Sequence, residues 1–546
     1  MRSVFFDFEA IASSSYDWRS MSLSWPVSST HFREFRQPLI SAFFEFLNQV
    51  PQQARDIIFA DTNFFVFFLQ LVHFNLANTM ATDYGLQIRS SSRSLQYLDP
   101  DWRKVANVHR EYFKDSGPLH RSLIQPIKRA RRMLIHRSDF PQSLFRHVLG
   151  RSMPVMAVGV HGAEHDLQRN FFSSSGDYFS FWDWRDFRCL GNEARAEYEG
   201  QRTHLQQFVS EFLAWSSSHL ARYGVKLDKD NITQVWLHRL RHVAQIYYSA
   251  LEIVIPLDRA TVIGENDVMR KPVVLALQHR GIPFTGFLHG DTISGLYKQF
   301  DAISISRSHV PRIIAPNNNN ARLQQTLYCT GNTYSHKSVR YEGLSFGGSE
   351  EPVTPRDSPN TLSIILVGWP MNLQRYFDDE NSFFLPKFEL ERQIISTVQE
   401  WGVPIAYLPH PDRGAAVHRL YKTFGIPVLS ESIENLVGQY SVFAFTHPTT
   451  SAFGKLLKTS NSILLFDSAD HLWTPQGRYL IDQRCHRILT PDLDNGGTFF
   501  DPDQLSHVLE LCTNCDEKRV NRELYDIYYS GSLTFSPIES LPRNIN

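Results

Sequence analysis

Short apolar runs recur along the chain from residue 153 onward, and each ends in glycine, a polar residue or proline. The first set is MPVMAVGV (153–160), ATVIGEND (260–267), IPFTGFLHG (282–290) and DAISIS (301–306). Continuous runs of this length suit strands buried on both faces of a sheet. Between them lie helical stretches such as VMRKPVVLALQHRG (268–281). Strand and helix in alternation predict a parallel sheet covered by helices. The rhythm stops at GGSEEPVTPRDSPN (347–360), rich in Gly, Pro, Ser and charge, which reads as a linker.

After the linker the alternation restarts. Expected strands are TLSIILVGW (361–369), VPIAYLPHP (403–411), IPVLS (426–430), SVFAFTHPTTS (441–451) and SILLFD (462–467). Expected helices lie near 386–401, 414–424 and 452–459, with a short one after 430. This predicts a second doubly wound α/β domain. The expected division is residues 1–345, with a mostly helical N-terminal extension, a linker at 346–360, and residues 361–546. A chain of 546 residues is too long for one core, since cores stop growing at roughly 250–300 residues.

In the extension, FFVFFLQLVHFNLA (64–77) is the most apolar window, too short for a membrane span and expected as a buried helix. Residues 120–137, HRSLIQPIKRARRMLIHR, set six basic residues among Leu, Ile and Met. They read either as a solvated helix face or as a basic amphipathic helix touching an anionic membrane surface from the cytoplasmic side.

A formal net charge of −1 gives no field that would argue for nucleic acid. The 40 phenylalanines point to aromatic-rich packing or an aromatic interface. Five cysteines are an odd, sparse set, unlike a secreted disulfide framework and in keeping with a reducing cytoplasm. Cys512 and Cys515 form a CxxC with no second pair, expected as a chance pair on a helix surface. The N-terminal MRSVFFDFEAIASSS has no long apolar stretch, so no signal peptide is expected.

Ligands of parallel sheets bind at the carboxyl ends of the strands, so the strand ends are where chemistry is expected. His410 ends one such strand, and Pro411 denies it a helical backbone and holds it extended. An imidazole there can donate to a phosphate oxygen, or can simply bond a loop carbonyl. Thr449, Thr450 and Ser451 follow a neighbouring strand where a helix begins. They read as an N-cap, an anion site, or both. In the first half, His289 and Gly290 end a strand, and glycine admits a ligand close to the backbone. Glu265 and Asp267 end the strand before it, as a candidate general base or as charge complementing a helix dipole.

Together these residues resemble the glycosyltransferases of GT-B architecture that build bacterial surface polysaccharides. More narrowly, His410-Pro411 and Thr449-Thr450-Ser451 look like the His-Pro and Ser-Ser motifs of bacterial sialyl-, polysialyl- and Kdo transferases. The same groups, with His289-Gly290, also resemble teichoic acid glycerophosphotransferases, which use CDP-glycerol. The likeness covers roughly residues 260–470. It departs from the family at Thr-Thr-Ser in place of Ser-Ser, and in lacking an acidic-acidic-Gly base motif.

The resemblance implies an α/β fold of two Rossmann-like domains facing an interdomain cleft, the first on the acceptor side and the second binding the nucleotide. It implies a CMP-activated donor, with Kdo, sialic acid or another nonulosonate as its sugar. The acceptor would be a saccharide or a lipid-linked saccharide. His410, Pro411, Thr449, Thr450, Ser451 and Gly290 would hold the donor, with His289, Glu265 and Asp267 as candidate catalytic groups. No metal or other cofactor is expected, since a CMP-sugar has one phosphate and no diphosphate to bridge.

Other readings compete. HGAEH (161–165) matches the H-x-x-E-H pattern of inverted zincins, but it follows a strand directly and contains Gly162. YFSFWDWRDF (178–187) reads as a packed aromatic cluster or as a sugar-stacking surface. A UDP- or GDP-hexose transferase would show a Glu-x7-Glu, whereas Glu431 and Glu434 have the wrong spacing. A scaffold with a decayed cleft is the non-enzyme alternative.

Overall fold

A computed structural model describes residues 2–5, 10–11, 25–89, 154–158, 178–182, 192–252, 259–262, 270–287, 296–298, 310–315, 317–328, 340–343, 361–368, 384–410, 415–448, 450–468, 472–491, 499–514 and 521–526. The expectations on residues 120–137, 161–165, 301–306 and 347–360 lie outside them.

Five helices form a bundle at the N-terminal side. They are α1 (Ser29–Asn48), α2 (Gln52–Ala60), α3 (Thr62–Asp83), α4 (Asn192–Ala221) and α5 (Lys229–Leu251). A parallel pair, β1 (Arg2–Phe5) and β2 (Leu86–Arg89), accompanies them. The abundant phenylalanine goes here. Phe43 stacks on Phe65 with centroids 4.1 Å apart, and Phe68, Phe208, Phe212 and Trp236 crowd around them. Such rings bury large areas and favour offset or edge-on contacts. The helix α3 runs further than the apolar window suggested. Its Phe64–Asp83 segment is long and apolar enough to cross a membrane by length and composition alone, yet most of that stretch is buried inside the protein.

The first sheet is parallel and built from β3 (Pro154–Val158), β4 (Tyr178–Trp182), β5 (Arg259–Val262), β6 (Phe284–Phe287), β8 (Arg312–Ala315) and β9 (Arg340–Gly343). Its spatial order is β4-β3-β5-β6-β8-β9. Residues 178–182, the start of the stretch read as a packed aromatic cluster or a sugar-stacking surface, form a strand paired with β3, a pairing that tests neither reading. Strands β8 and β9, with helix α7 (Asn318–Tyr328) between them, were also not expected. Arg312 and Glu342 pair across them, 2.5 Å apart, and Gly343 packs so closely on Asn317 and Asn318 that no side chain fits. Helices α4 and α5 are inserted between β4 and β5, so the helical bundle draws on chain from inside the first α/β unit.

The bundle is fastened to this sheet through α6 (Lys271–His279), which joins β5 to β6. Lys271 is fully buried and donates to Thr62 Oγ1 at 2.6 Å. Nearby Arg239 grips Asp61 with two bonds, of 2.6 and 3.0 Å. The Tyr247 hydroxyl donates to Asp56 at 3.1 Å. Burial, and then the Asp56 carboxylate, push that phenol far above the usual tyrosine range, so it stays a donor. Buried charge is tolerated only when paired and bonded, and these groups are.

The second sheet comprises β10 (Ile364–Val367), β11 (Ile405–Leu408), β12 (Val442–Phe445), β13 (Ser462–Ser468) and β15 (His486–Thr490). It is parallel, with order β11-β10-β12-β13-β15. Covering helices are α8 (Phe384–Glu400), α9 (Ala415–Lys422), α10 (Ile433–Leu436), α11 (Ser451–Leu456), α12 (Pro475–Arg484) and α13 (Pro502–Asn514). Strands β10, β11 and β12 are buried at every position, as their continuous apolar runs require. The segment 426–430, expected as a strand, makes only one bridge, between Val428 and Tyr407. Cys512 faces the core at 5% exposure, not the surface as expected, while Cys515 lies outside the described residues.

A small antiparallel pair links the two α/β units. β7 (Tyr297–Lys298) pairs with β14 (Leu472–Trp473). Just beside it, the Leu296 carbonyl accepts from the Thr474 backbone N–H at 2.9 Å and from its hydroxyl at 2.8 Å. A Cβ on Gly477 would sit 2.0 Å from that same carbonyl oxygen, so only glycine allows the approach. The paired strand is held in turn by Asp467, which accepts from the Trp473 indole at 2.9 Å and from Arg487 at 2.5 Å.

His73 offers a test of the bundle. Its Nε2 accepts from the Trp25 indole at 2.9 Å, and its ring stacks on Phe32. Burial, with Arg36 adding to it, holds its pKa well below the usual value near 6.5. The folded state therefore keeps it neutral while the unfolded chain protonates it. Stability from this residue is full above about pH 6.5 and falls as the pH drops below that value. The thermal midpoint should decline between pH 7 and 5, and His73→Leu should flatten part of that decline. An unchanged slope in the variant would assign the acid sensitivity to other groups.

Candidate functional site

Both sheets reverse their winding once. In the first, the reversal lies between β3 and β5, and in the second between β10 and β12. Crevices open at the carboxyl ends of strands flanking such a reversal. Strands buried on both faces are built mainly of apolar side chains, so much of the polar chemistry collects at these ends.

In the second sheet His410 follows β11, the strand paired with β10, and is half-buried. The ladder continues just beyond β10, where Gly368 N–H donates to the Leu408 carbonyl at 2.8 Å. On its outer side β11 is held by Tyr407, whose N–H reaches the Pro427 carbonyl at 2.9 Å and whose carbonyl receives the Leu429 N–H at 2.8 Å. The backbone two residues before His410 is thus pinned on both edges.

Across β10 lies the end of β12, where Thr446 and His447 are buried, at 1% and 5% exposure. His447 was passed over in the sequence, although His447-Pro448 is the same dipeptide as His410-Pro411, one apolar strand later. Repetition of the pair at two strand ends was the signal available. The winding reversal is what makes it meaningful: strands β11 and β12 sit on either side of β10.

Thr450 is the N-cap of α11, its backbone extended and its hydroxyl accepting from Phe453 N–H at 3.2 Å. The capping reading therefore accounts for one lone pair of that oxygen, and the hydroxyl proton is directed elsewhere. The other end of this short helix is also held. The buried Arg484 guanidinium donates to the carbonyls of Leu456, Thr459 and Asn461 at 3.2, 2.8 and 3.1 Å. Ser451 opens the helix. Thr449 and Pro411 lie outside the described residues, and so do Glu265, Asp267, His289 and Gly290, which come after the ends of β5 and β6 in the chain.

The described site is thus half of what the sequence suggested: two histidine-bearing strand ends and a capped helix start, all in the second sheet. Among the described residues no group of three His, Cys, Asp or Glu side chains is placed to hold a metal ion.

No family model matches the chain, and no curated protein matches it. Solved structures do show likeness. MurG of Acinetobacter baumannii aligns at 12% identity over 69% of this chain and 94% of its own, with a TM-score of 0.31. UGT89C1 of Arabidopsis thaliana, complexed with UDP-L-rhamnose, aligns at 11% over 68% and 86%, with a TM-score of 0.32. The UDP-GlcNAc 2-epimerase of Methanocaldococcus jannaschii, in complex with UDP-GlcNAc and UDP, aligns at 9% over 68% and 97%, with a TM-score of 0.37. The strand orders of the two sheets define a protein of two doubly wound, Rossmann-like α/β units with a helical bundle attached.

Removing the Thr450 cap should cost about 1 kcal/mol of stability. Thr450→Ala should lower the denaturation midpoint accordingly and Thr450→Ser should restore it. No loss in the alanine variant would mean that the hydroxyl does not cap α11.

Proposed function

We propose that this protein is a GT-B glycosyltransferase that moves a sugar from a nucleotide-activated donor to a saccharide or lipid-linked acceptor. The observation that carries the reading is the pair of histidines at the carboxyl ends of β11 and β12, on either side of the strand where the second sheet reverses its winding. A crevice at such a reversal suits a nucleotide, and imidazoles at the two strand ends, His410 half-buried and His447 buried, suit a phosphate.

In this reading His410 donates to the donor phosphate, and His447 stands on the opposite side of the same reversal. Charge builds on that phosphate as the glycosidic bond to the sugar breaks, and donors already in place stabilise it without reorganising. The departing nucleotide takes the bonding electrons, and the acceptor hydroxyl attacks the anomeric carbon. A base removes the hydroxyl proton, with Glu265, Asp267 and His289 as the candidates on the first unit.

The donor is proposed to be a CMP-activated nonulosonate, such as Kdo or a sialic acid, on the strength of His410-Pro411 and the Thr449–Ser451 hydroxyls. One phosphate leaves no diphosphate for a metal to bridge. A CDP-glycerol donor would use the same cytidine pocket. A UDP- or GDP-hexose donor remains the alternative within the same fold. For a role in such a donor site Glu434 is poorly suited, because it already pairs with Lys455 on the surface. The basic stretch 120–137 would then meet the membrane that carries a lipid-linked acceptor, on its cytoplasmic face.

A thermal-shift panel of CMP, CDP, UMP, UDP and GDP tests this reading, since a ligand at 100 times its Kd stabilises by about 2.7 kcal/mol. The cytidine nucleotides should raise the midpoint most. His410→Ala should remove that shift, leave the unliganded midpoint within a few degrees, and cut transfer by roughly 10²–10³-fold. Stabilisation by UDP or GDP alone would replace the cytidine donor with a hexose donor. Stabilisation by none of them, or full activity in His410→Ala, would overturn the proposal.

A further inference from the structure

One carboxyl lies beneath the winding reversal of the second sheet and is bonded to both sides of it. Glu391, on α8, is fully buried. Its Oε2 accepts from the Tyr407 hydroxyl at 3.0 Å and from the Tyr421 hydroxyl. Its Oε1 accepts from the Thr446 hydroxyl at 3.5 Å. Tyr407 belongs to β11, three residues before His410, and Tyr421 to α9, the helix that follows that histidine. Thr446 is the residue before His447 at the end of β12. The two tyrosine rings stack, with centroids 3.7 Å apart and planes 11° from parallel.

The geometry matters because β11 and β12 are not neighbours. With β10 between them, their backbones lie about 10 Å apart, so no ladder bond joins one histidine-bearing end to the other. Glu391 reaches both from α8, through Tyr407 of β11 and Thr446 just after β12. A buried carboxyl is an expensive way to join two strands. Apolar side chains of similar volume often hold such a place equally well or better. What a carboxyl adds is direction, with one oxygen committed to each side.

We propose that Glu391 is a positioning residue: through Tyr407 and Thr446 it sets the distance and orientation of the His410 and His447 strand ends relative to each other. This rests on the reading of those ends as the nucleotide-phosphate site. It assigns Glu391, Tyr407, Tyr421 and Thr446 a place in donor binding although none of them is at the crevice rim.

Tyr407→Phe and Thr446→Val each delete one hydroxyl and keep its shape, so both should fold. Glu391→Gln alters the hub itself. The first readout needs no ligand: imidazole NMR resonances of histidine-labelled protein, with His410 and His447 assigned by their alanine variants. Tyr407→Phe should move the His447 resonance and Thr446→Val should move that of His410, each across the reversal. If each variant moves only the histidine on its own strand, the proposal is wrong.

The second readout is the affinity of whichever nucleotide stabilises the unmutated protein. Each single variant should weaken it by about three- to tenfold. The double variant should be no worse than the more severe single one, because both act through one carboxyl. Losses that add, or unchanged affinity with only a lowered melting point, would leave Glu391 a structural residue. If no nucleotide binds the unmutated protein, the transferase reading fails, and the NMR experiment still decides the positioning role.

Discussion

A parallel strand buried on both faces favours apolar side chains and demands a partner for any polar group it carries, and this one constraint arranges the rest of the molecule. Strands β10, β11 and β12 are four residues long and covered at every position. Most polar chemistry gathers at their ends, where helices begin. His410, Thr446, His447 and Thr450 all lie at such ends. The reversal of winding then selects among the ends, because only there do two crossover connections leave in opposite directions and open a crevice.

Beneath that layer the polar groups that are buried serve as fasteners. Lys271 with Thr62 holds the helical bundle to the first α/β unit, and Asp61 with Arg239 ties helices within the bundle. Arg484 collects three carbonyls at the end of α11. Asp467 ties β13 to the strand that meets the first unit, and the Leu296 carbonyl takes two bonds from Thr474 in the same joint. Each is a charged or polar group with hydrogen-bond partners beside it, which lowers the cost of keeping it inside. Glu391 follows the same rule while reaching both sides of the winding reversal.

Much of the architecture was legible before any coordinates. Runs such as SIILV, IAYL and VFAF read as doubly covered strands, and the helices between them lie within a few residues of where periodicity puts them. Errors came where local pattern and tertiary role part. YFSFW was read only for its aromatic rings, and its pairing with β3 as a strand went unforeseen. IPVLS looks like a strand, yet only Val428 finds a partner. Cys512 was expected on a surface because a short motif says nothing of which helix face is covered. Of the site, His410 and Thr450 were visible as residues at strand and helix ends. His447 was missed because its importance comes from strand order and not from its neighbours in the chain.

The amino-acid sequence by itself determined that this protein would be two parallel α/β units, because the spacing of apolar runs and turns is a local property that burial on both faces demands. It also marked strand ends as the places for histidine and hydroxyl groups. Only the tertiary structure decided which ends become partners. Strand order sets β11 and β12 on either side of β10, and Glu391 on α8 bonds to Tyr407 of one and to Thr446 at the end of the other. That choice depends on contacts between residues 391, 407, 421 and 446, whose closeness no local pattern encodes.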